Sequence, residues 1–445
     1  MKTFLGTVFL SLFLSPVYTQ SLLRFVGTSG VNERIGQEYT GYWNNRVAIE
    51  QQTRDFLYYG TERSYTIPLV FHFVLPASIQ VTADQLNCQL SSLNEDFNGQ
   101  TFAKGSAADL AESFYDSITL AGRVDMFSRA AENTGISFCV AQTDPQGNTS
   151  TGVDFANSLG KIWTWDDRVK RQGEGGLPAW DADKFLNIWV CQLADSVSGY
   201  AQMPGGPLQT DGIVIDYRFF GCGGSSQAPF NKGKTLTHLI GNYLNLYDLW
   251  SYSNRCQDDN VSDTPVHNAP NMGGDHFRHI STCDGQPMEM IMNFMDDMDD
   301  SCMYMFTKGQ VKRMQAILAE NGWRSNLSKW ESTGIACSSA PFTGVMLQAP
   351  GTDDRNTQGE TGVTAFSVVP NPAKTRVAVS LYAPVEQAGS IRITTSTGTE
   401  IYNSRHQFAK GANAFSVDCS NWPRGVYLVV LNTSSKPLSQ VLIVD

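Results

Sequence analysis

Residues 233–250, GKTLTHLIGNYLNLYDLW, carry the spacing of a helical zinc site but few of its side chains. Such a site needs two imidazoles at positions i and i+4, which project from one helix face toward one metal ion. It also needs a carboxylate beside the first imidazole, as general base for metal-bound water, and a third ligand after the helix. His238 holds the first ligand position in this frame. Leu239 stands at the base position, Asn242 at the second ligand position and Asp248 at the third. On this segment alone, a structural histidine is favoured over a metal ligand.

Strand-like and helix-like segments alternate on both sides of this stretch and would have to position it. The apolar run TIPLVFHFVL, which follows Tyr65, is typical of a strand. Apolar residues recur at helical spacing from Thr82 towards Phe97, which predicts a helix. Further strands are predicted at 136–141, 185–192 and 212–217, and further helices at 235–247 and 308–320. The pattern indicates a mixed α/β (α+β) domain over residues 65–337.

Composition and charge limit the class of protein. The chain has 445 residues, of which 41% are hydrophobic and 17% charged, so packed globular domains are expected. A formal net charge of -11 argues against nucleic acid and anionic membrane surfaces, because both attract basic patches. Residues 1–19 resemble a secretory signal, with Lys2 followed by a short apolar stretch. No later segment reaches transmembrane length, so we expect a secreted protein.

The regions outside the mixed domain differ from it in composition. Residues 20–64 are polar and irregular, and are interpreted as an N-terminal segment or a short pro-region. Residues 338–364 are rich in Gly, Ser, Thr, Pro and Asp, which is typical of a linker. Short strands with regular turns follow and predict a small all-β sandwich over residues 366–445.

A series of segments along residues 65–325 carries a family resemblance. In chain order they include TIPLVFHFVL, ISFCVAQTDPQGNTSTGV, GGLPAWDADKFLNIWVCQL, TDGIVIDYRFFG, THLIGNYLNLYDLW and NFMDDMDDSCMYMFTKGQ. In this order they resemble the pappalysin family of metzincin zinc metalloproteases, in particular its bacterial cytophagalysin-like branch. The resemblance implies a metzincin fold, a zinc helix with three His and one Glu, a Met-turn, and endopeptidase activity.

The departures from the family concern the chemistry itself. Only His238 of the zinc-helix residues remains, and Met295 matches the Met-turn. Two residues later Asp297 replaces a Tyr that stabilises the oxyanion in the family, and a negative charge there opposes the charge of the transition state. Leu239 cannot accept a proton, and an amide at Asn242 is a poor zinc ligand. Zinc is therefore not expected. We expect a catalytically inactive homologue that binds peptide or protein in a degenerate cleft at the cell surface; the alternative is an active metalloendopeptidase with an atypical metal site.

The loop after the zinc helix suggests a second ion and a disulfide. The resemblance implies calcium at the acidic stretch, with a solvated acidic turn as an equal alternative; the residues are Asp258, Asp259, Asp263 and Thr264. It also implies a disulfide between Cys256 and Cys283, whereas Cys302 has a glycine at its partner position and is unpaired or bridged elsewhere. The loop histidines are interpreted as exposed rather than as a replacement metal site; they are His267, His276 and His279.

The remaining cysteines leave alternatives open. The chain has nine Cys, so at least one thiol is unpaired within it. Cys139 and Cys191 lie in apolar strand-like runs. Two buried free thiols and a bridge between them are both compatible with this pattern.

The C-terminal region resembles a second known family. FSVVPNPAKTRVAVSL, IRITTSTGTEIYN and NWPRGVYLVVL occur in the order of the type IX secretion sorting domain, although the chain ends SQVLIVD without the usual basic residue. The resemblance implies the type IX machinery as partner, passage through the periplasm and outer membrane, and release or attachment to surface lipopolysaccharide. A generic adhesive sandwich is the alternative.

Overall fold

A computed structural model of the chain describes residues 23–76, 78–101, 131–194, 197–251, 256–274, 279–330, 334–342, 365–369, 373–383, 386–395, 399–409, 411–433 and 438–444. These residues form a mixed α/β unit up to residue 342 and an all-β unit from residue 365. Among them, no helix has both the length and the hydropathy of a membrane-spanning segment. The expected signal at 1–19 and most of the expected linker, residues 343–364, lie outside the described residues.

A seven-stranded mixed sheet forms the centre of the α/β unit. Its strands are β1 (Tyr65–Leu75), β2 (Ile136–Ala141), β3 (Val153–Asn157), β4 (Leu186–Cys191), β5 (Gly199–Ala201), β6 (Ile213–Asp216) and β9 (Cys337–Ser338). The order is β5-β6-β4-β1-β2-β9, with β3 also paired to β1. The pairs of β1 with β2, β3 and β4, and of β4 with β6, are parallel, whereas β5 runs antiparallel to β6 at one edge. A separate two-stranded sheet joins β7 (Met272–Gly273) to β8 (Asp297–Met298).

Both faces of the sheet are buried, as expected for parallel strands. Ile67, Phe71 and Phe73 of β1 point into the main core, which also holds apolar residues of the helices on that face. Val74 points to the other side, into a second core that includes Trp189. The continuous apolar run of β1 therefore reflects a strand covered on two sides.

Three helices pack on the main-core face, and each begins within one residue of its predicted start. Helix α3 (Ala83–Phe97) starts at Thr82, whose side chain accepts a hydrogen bond from the backbone of Gln85. Helix α4 (Lys234–Tyr243) carries the candidate zinc motif, and α5 (Lys308–Leu318) starts with a capping box between Thr307 and Gln310. Helix α4 is shorter than predicted because the chain turns at Asn245, which has a φ of 78°.

The prediction of an irregular segment at 20–64 is wrong. The described part of it forms helix α1 (Thr28–Glu38) and helix α2 (Tyr42–Tyr59). The buried stripe of α1 is Thr28, Val31, Asn32 and Ile35, and that of α2 is Tyr42, Arg46, Ile49 and Thr53. Both stripes have helical spacing, but half of their members are polar or charged. The apolar periodicity that marks an amphipathic helix is therefore weak in the sequence.

Three disulfides cross-link the α/β unit. They join Cys88 to Cys222, Cys139 to Cys337 and Cys256 to Cys283. The bridge considered between Cys139 and Cys191 is wrong, since Cys191 keeps a buried thiol whose pKa burial raises well above its usual value. Residues 337 and 338 pair with β2 as part of the sheet, so residue 338, the predicted first residue of the linker, belongs to the α/β unit. Cys302 is buried and takes part in none of the three bridges.

The C-terminal unit is an all-β sandwich. One sheet contains β10 (Ala365–Val369), β11 (Arg376–Ala383) and β14 (Gly411–Asp418) in the order β10-β11-β14. The other contains β12 (Gln387–Thr395), β13 (Glu400–Phe408), β15 (Gly425–Asn432) and β16 (Leu438–Val444) in the order β13-β12-β15-β16. Residues of both sheets, such as Val379 and Val429, share one buried apolar cluster, which is how two sheets pack face to face.

Candidate active site

Helix α4 is held rigidly at its N-terminus. All ten of its residues are buried. The Asp300 carboxylate accepts a hydrogen bond of 2.7 Å from the backbone N–H of Lys232, just before the helix begins. Asp96 of α3 pairs with the Lys234 ammonium and accepts a hydrogen bond of 2.6 Å from Thr237 Oγ1. These contacts place the motif positions independently of any bound ion.

The three candidate ligand positions bond to one another. Nε2 of His238 lies 3.0 Å from Oδ1 of Asp248, and its Nδ1 lies 3.2 Å from the carbonyl oxygen of Asp296. The Asn242 amide N–H donates to the same Asp248 oxygen at 3.0 Å. Both ring nitrogens of His238 thus face acceptor oxygens, and Oδ1 of Asp248 is shared between the imidazole and the Asn242 amide.

This arrangement does not fit a zinc ion. A zinc site with three protein ligands needs free electron pairs that converge on one point. Here the imidazole and the carboxylate of His238 and Asp248 are directed at each other. The amide oxygen of Asn242 accepts a hydrogen bond of 2.9 Å from Thr28 Oγ1.

A core leucine occupies the position of the general base. Leu239 is fully buried in the main core. Its Cδ1 atom approaches β5 so closely that a Cβ atom added to Gly199 would lie 2.6 Å from it. The leucine side chain therefore forms part of the packing between α4 and the edge strand.

Met295 lies at the implied Met-turn position, and Asp297 places an acidic side chain at the position implied for the oxyanion donor. Met295 is fully buried, and its Sδ atom lies against Gly241 of α4, where an added Cβ atom would meet it at 2.4 Å. Asp297 is also buried, and within the described residues its Oδ1 atom has no hydrogen-bond partner. Burial raises the pKa of Asp297 to about 6, although the charges of His238 and Arg24 lower it.

The N-terminal segment supplies site residues that sequence reasoning missed. Arg24 is fully buried; its guanidinium pairs with Asp300 and donates to the carbonyl oxygen of Met298 at 2.8 Å. Thr28 reaches Asn242, as described above. The sequence carries no usable signal for this burial, since the charged Arg24 is buried whereas the apolar Leu23 and Phe25 are 49% exposed.

The acidic residues of the expected calcium site have separate protein partners. Asp258 accepts from the backbone of Asn260, and Asp263 accepts from Thr307 and the backbone of Gly309 at the start of α5. Asp259 is buried, accepts from Thr264 Oγ1, and has its pKa raised to about 7 by burial. Calcium at these residues stays a prediction.

The disulfide Cys256–Cys283 is the pair that the resemblance implies. The expectation of exposed histidines is wrong for His267, which is fully buried and accepts a hydrogen bond of 2.9 Å from the backbone of Met290. Burial lowers the pKa of His267 to about 3, so this imidazole is neutral. His276 lies outside the described residues.

Comparison with known proteins supports the resemblance. The family described as Pregnancy-associated plasma protein-A (Peptidase_M43) matches residues 173–319. Promirolysin of Tannerella forsythia, a solved point mutant, is 32% identical, with 70% of this chain and 99% of that chain covered and a TM-score of 0.58. The chain belongs to the pappalysin family of metzincin metalloproteases. Mature mirolysin in complex with a cleaved peptide is 33% identical, with 61% of this chain and 98% of that chain covered and a TM-score of 0.54.

Curated relatives of the chain include fungal proteins. An extracellular metalloprotease of Arthroderma benhamiae is 30% identical over 213 residues, which are 45% of this chain and 65% of the relative. One of Arthroderma gypseum is 34% identical over 141 residues, which are 30% of this chain and 47% of the relative. The chain thus spans between about half and two thirds of the length of these relatives.

The C-terminal sandwich has its own match. The secretion system C-terminal sorting domain matches residues 367–445, which confirms the resemblance to a type IX sorting domain. This pappalysin-family protein is therefore secreted or displayed at the outer-membrane surface.

Proposed function

We propose that this chain is an exported pappalysin-family protein that does not hydrolyse peptide bonds and acts by binding peptide or protein at the cell surface. The observation that carries the proposal is the closed hydrogen-bond network at the three ligand positions. His238, Asn242 and Asp248 use one another, and Thr28, as partners. A metal ion would have to break this network before it could bind.

The chain lacks the side chains that perform the steps of peptide-bond hydrolysis in this family. No carboxylate stands at position 239 to take a proton from an attacking water, and Leu239 fills that space instead. Asp297 places an acidic group where the tetrahedral intermediate would need a donor. Loss of a base, two imidazole ligands and an oxyanion donor removes the water activation, the metal and the charge stabilisation together.

Binding of an extended peptide is supported by the sheet. Strand β5 is an edge strand of the central sheet and runs beside α4. An edge strand offers backbone N–H and C=O groups to which an extended segment adds by main-chain hydrogen bonds. Residues 25–27 of the chain add to β5 in this way, so an outside peptide would have to take their place. The solved relative with a cleaved peptide supports a peptide as the ligand class.

A second candidate is an active metalloendopeptidase with an atypical metal site. The names of the relatives favour it, since the fungal proteins are called extracellular metalloproteases. It would require His238 and Asp248 to exchange their mutual hydrogen bond for metal coordination, with a further ligand recruited from elsewhere.

Metal analysis combined with a protease assay separates the two candidates. We expect purified protein to contain less than one zinc per chain and to leave casein and gelatin intact. The control is the His238→Ala variant, which should behave like the wild type in both assays. Chelator-sensitive peptide cleavage that is lost in His238→Ala would establish the active metalloendopeptidase.

Export and anchoring are the second part of the proposal. The sorting domain supports the type IX machinery as a partner and lipopolysaccharide as an anchor, with release into the medium as the other fate. Fractionation of cells with an antibody to the α/β unit, before and after mild lipopolysaccharide extraction, distinguishes an anchored from a released protein.

A further inference from the structure

A groove lies on a side of α3 that does not face α4. Toward α4, Ser92 Oγ donates to the carbonyl oxygen of Lys232 at 2.7 Å and Asp96 pairs with Lys234, so that side is filled. On another side, α3 and the chain after β9 enclose a cavity of about 330 Å³. We call this cavity the α3 groove; the residues that line it include Leu90, Ser91, Glu95, Asn98 and Pro341. None of the described residues that line it belongs to the candidate active site.

Both walls of the α3 groove are fixed in place. The Asn87 amide donates to the carbonyl oxygen of Phe342 at 3.0 Å and accepts from the backbone N–H of Phe342 at 2.7 Å. Phe342 packs against the main core, and the disulfide of β9 and its pairing with β2 hold the chain that leads to Phe342. On the other wall, Asn94 joins α3 to β2, since it accepts from the backbone N–H of Phe138 at 2.8 Å and donates to the carbonyl oxygen at 3.0 Å. A ligand would thus meet a preformed groove, which lowers the entropic cost of binding.

The α3 wall presents hydrogen-bond acceptors in a row. Ser91, Glu95 and Asn98 follow one another at positions i, i+4 and i+7, which lie on one face of a helix. Ser91 uses its hydroxyl proton on Glu95 at 3.2 Å. The Asn98 amide donates to the carbonyl oxygen of Asn94 at 2.8 Å and to Ser137 Oγ at 3.5 Å. What the three residues offer a ligand is therefore mainly oxygen, from a hydroxyl, a carboxylate and an amide carbonyl.

The rest of the lining is neutral and partly apolar. Leu90, which is only 4% exposed, and Pro341 contribute apolar surface. Glu95 is the one charged residue among the described residues that line the groove. A divalent cation prefers several charged oxygens, which this lining does not offer. A sugar has donating hydroxyl groups at its rim and C–H groups on its faces, and both kinds of surface find a partner here.

We propose that the α3 groove binds a neutral saccharide of one or two sugar residues. Its volume lies at the lower end of the ~300–1,000 Å³ typical of small-molecule sites, which sets this size. Sugar hydroxyls donate to Ser91, Glu95 and Asn98, and the C–H face of the ring packs on Leu90 and Pro341. The groove gives an exported protein a means of holding a glycan that is independent of any peptide bound beside α4.

The test titrates the full-length protein with glucose, galactose, N-acetylglucosamine and lactose, and follows binding by saturation-transfer difference NMR. At least one of these sugars should bind with a Kd on the order of 1 mM, because a hexose has only about twelve non-hydrogen atoms to contribute. Glu95→Gln keeps the shape of the side chain but loses charge-assisted hydrogen bonds, so the Kd should rise roughly three- to tenfold.

A matched pair of variants locates the site. Ser91→Tyr places a large ring at an exposed position of the lining and should abolish binding. Asp84→Tyr places the same ring at an exposed position of α3 outside the lining, and should bind sugar as the wild type does. Thermal unfolding of both variants checks that α3 remains folded.

Each other outcome would overturn the proposal. Absence of binding to all four sugars at concentrations well above this Kd would leave the groove without a saccharide ligand. Binding that survives Ser91→Tyr would place the sugar elsewhere on the protein. Displacement of the sugar by methylguanidine at lower concentration would assign the groove to a cationic ligand. Zinc content and casein cleavage, measured on the same samples, test the non-proteolytic function independently.

Discussion

Leu239→Glu restores the missing general base and should destabilise the protein without producing activity. The leucine is fully buried between α4 and β5, with its Cδ1 atom against Gly199. A glutamate there has the carboxylate that metal-bound water needs, but His238 remains bonded to Asp248 and no zinc is expected to supply that water. The substitution therefore separates the loss of the base from the loss of the metal site.

The expected cost follows from the burial of Leu239. Loss of a fully buried leucine removes about 1.5–3 kcal/mol of hydrophobic stabilisation. A buried polar group without a partner costs a further ~1–3 kcal/mol. The free energy of unfolding should fall by about 2.5–6 kcal/mol, which is a large part of the ~5–15 kcal/mol typical of a domain.

Urea denaturation at pH 7 and pH 5 measures this effect. Burial raises the pKa of a glutamate at this position, so its ionised form is the destabilising one, and the cost should shrink as the pH falls. Leu239→Gln has nearly the same shape without the charge and should vary less with pH. Leu239→Met conserves volume and should cost less than about 1.5 kcal/mol.

A stable and active Leu239→Glu variant would refute this reasoning. Chelator-sensitive cleavage of casein by the single variant would mean that zinc was already bound at His238. The hydrogen bond between His238 and Asp248 would then not describe the functional protein, and the non-proteolytic proposal would be wrong.

Three further predictions concern other parts of the chain. Asp297→Asn should stabilise the protein by up to about 3 kcal/mol at pH 7, because the folded-state pKa of Asp297, about 6, lies above the ordinary value of 3.8. Chemical denaturation at several pH values should show that this gain shrinks as the pH falls through 6. Replacing Cys139 and Cys337 together by serine should lower the free energy of unfolding by up to about 5 kcal/mol, because their bridge closes a separation of 198 residues; thermal unfolding measures this loss. Cys191→Ala removes a free thiol and should leave the non-reducing gel pattern unchanged. Deletion of residues 366–445 should hold the protein in the periplasm, and equal surface display of both forms in cell fractionation would argue against a sorting role.

The central strands and helices were predictable because their signals are local. The run after Tyr65 is apolar throughout, since β1 is covered on both faces. Helix α3 has a capping threonine and an apolar stripe, and both are visible in the sequence. The predicted end of α4 lies four residues beyond the observed one. The chain turns at Asn245 through a left-handed backbone conformation, and residue type alone does not predict that conformation.

The N-terminal helices were missed for a different reason. Their buried faces contain Asn32, Arg46 and Thr53, whose partners lie on β5 and on the chain after α4. When only the neighbours in sequence are known, a polar residue is predicted to be exposed at the surface. The buried hydrogen bonds that reverse this assignment exist only in the folded chain.

What the sequence by itself determined is which groups the site lacks. The absence of a glutamate at 239 and of imidazoles at 242 and 248 follows from residue identity, and no fold can supply those groups. Only the tertiary structure decided what replaced them: a His238–Asp248 pair, a leucine packed against β5, and a strand of residues 24–28 tied in by Arg24. The physical reason is that side-chain chemistry is set residue by residue. The partners that satisfy or bury a group come from segments that lie far apart in the sequence and meet only when the chain folds.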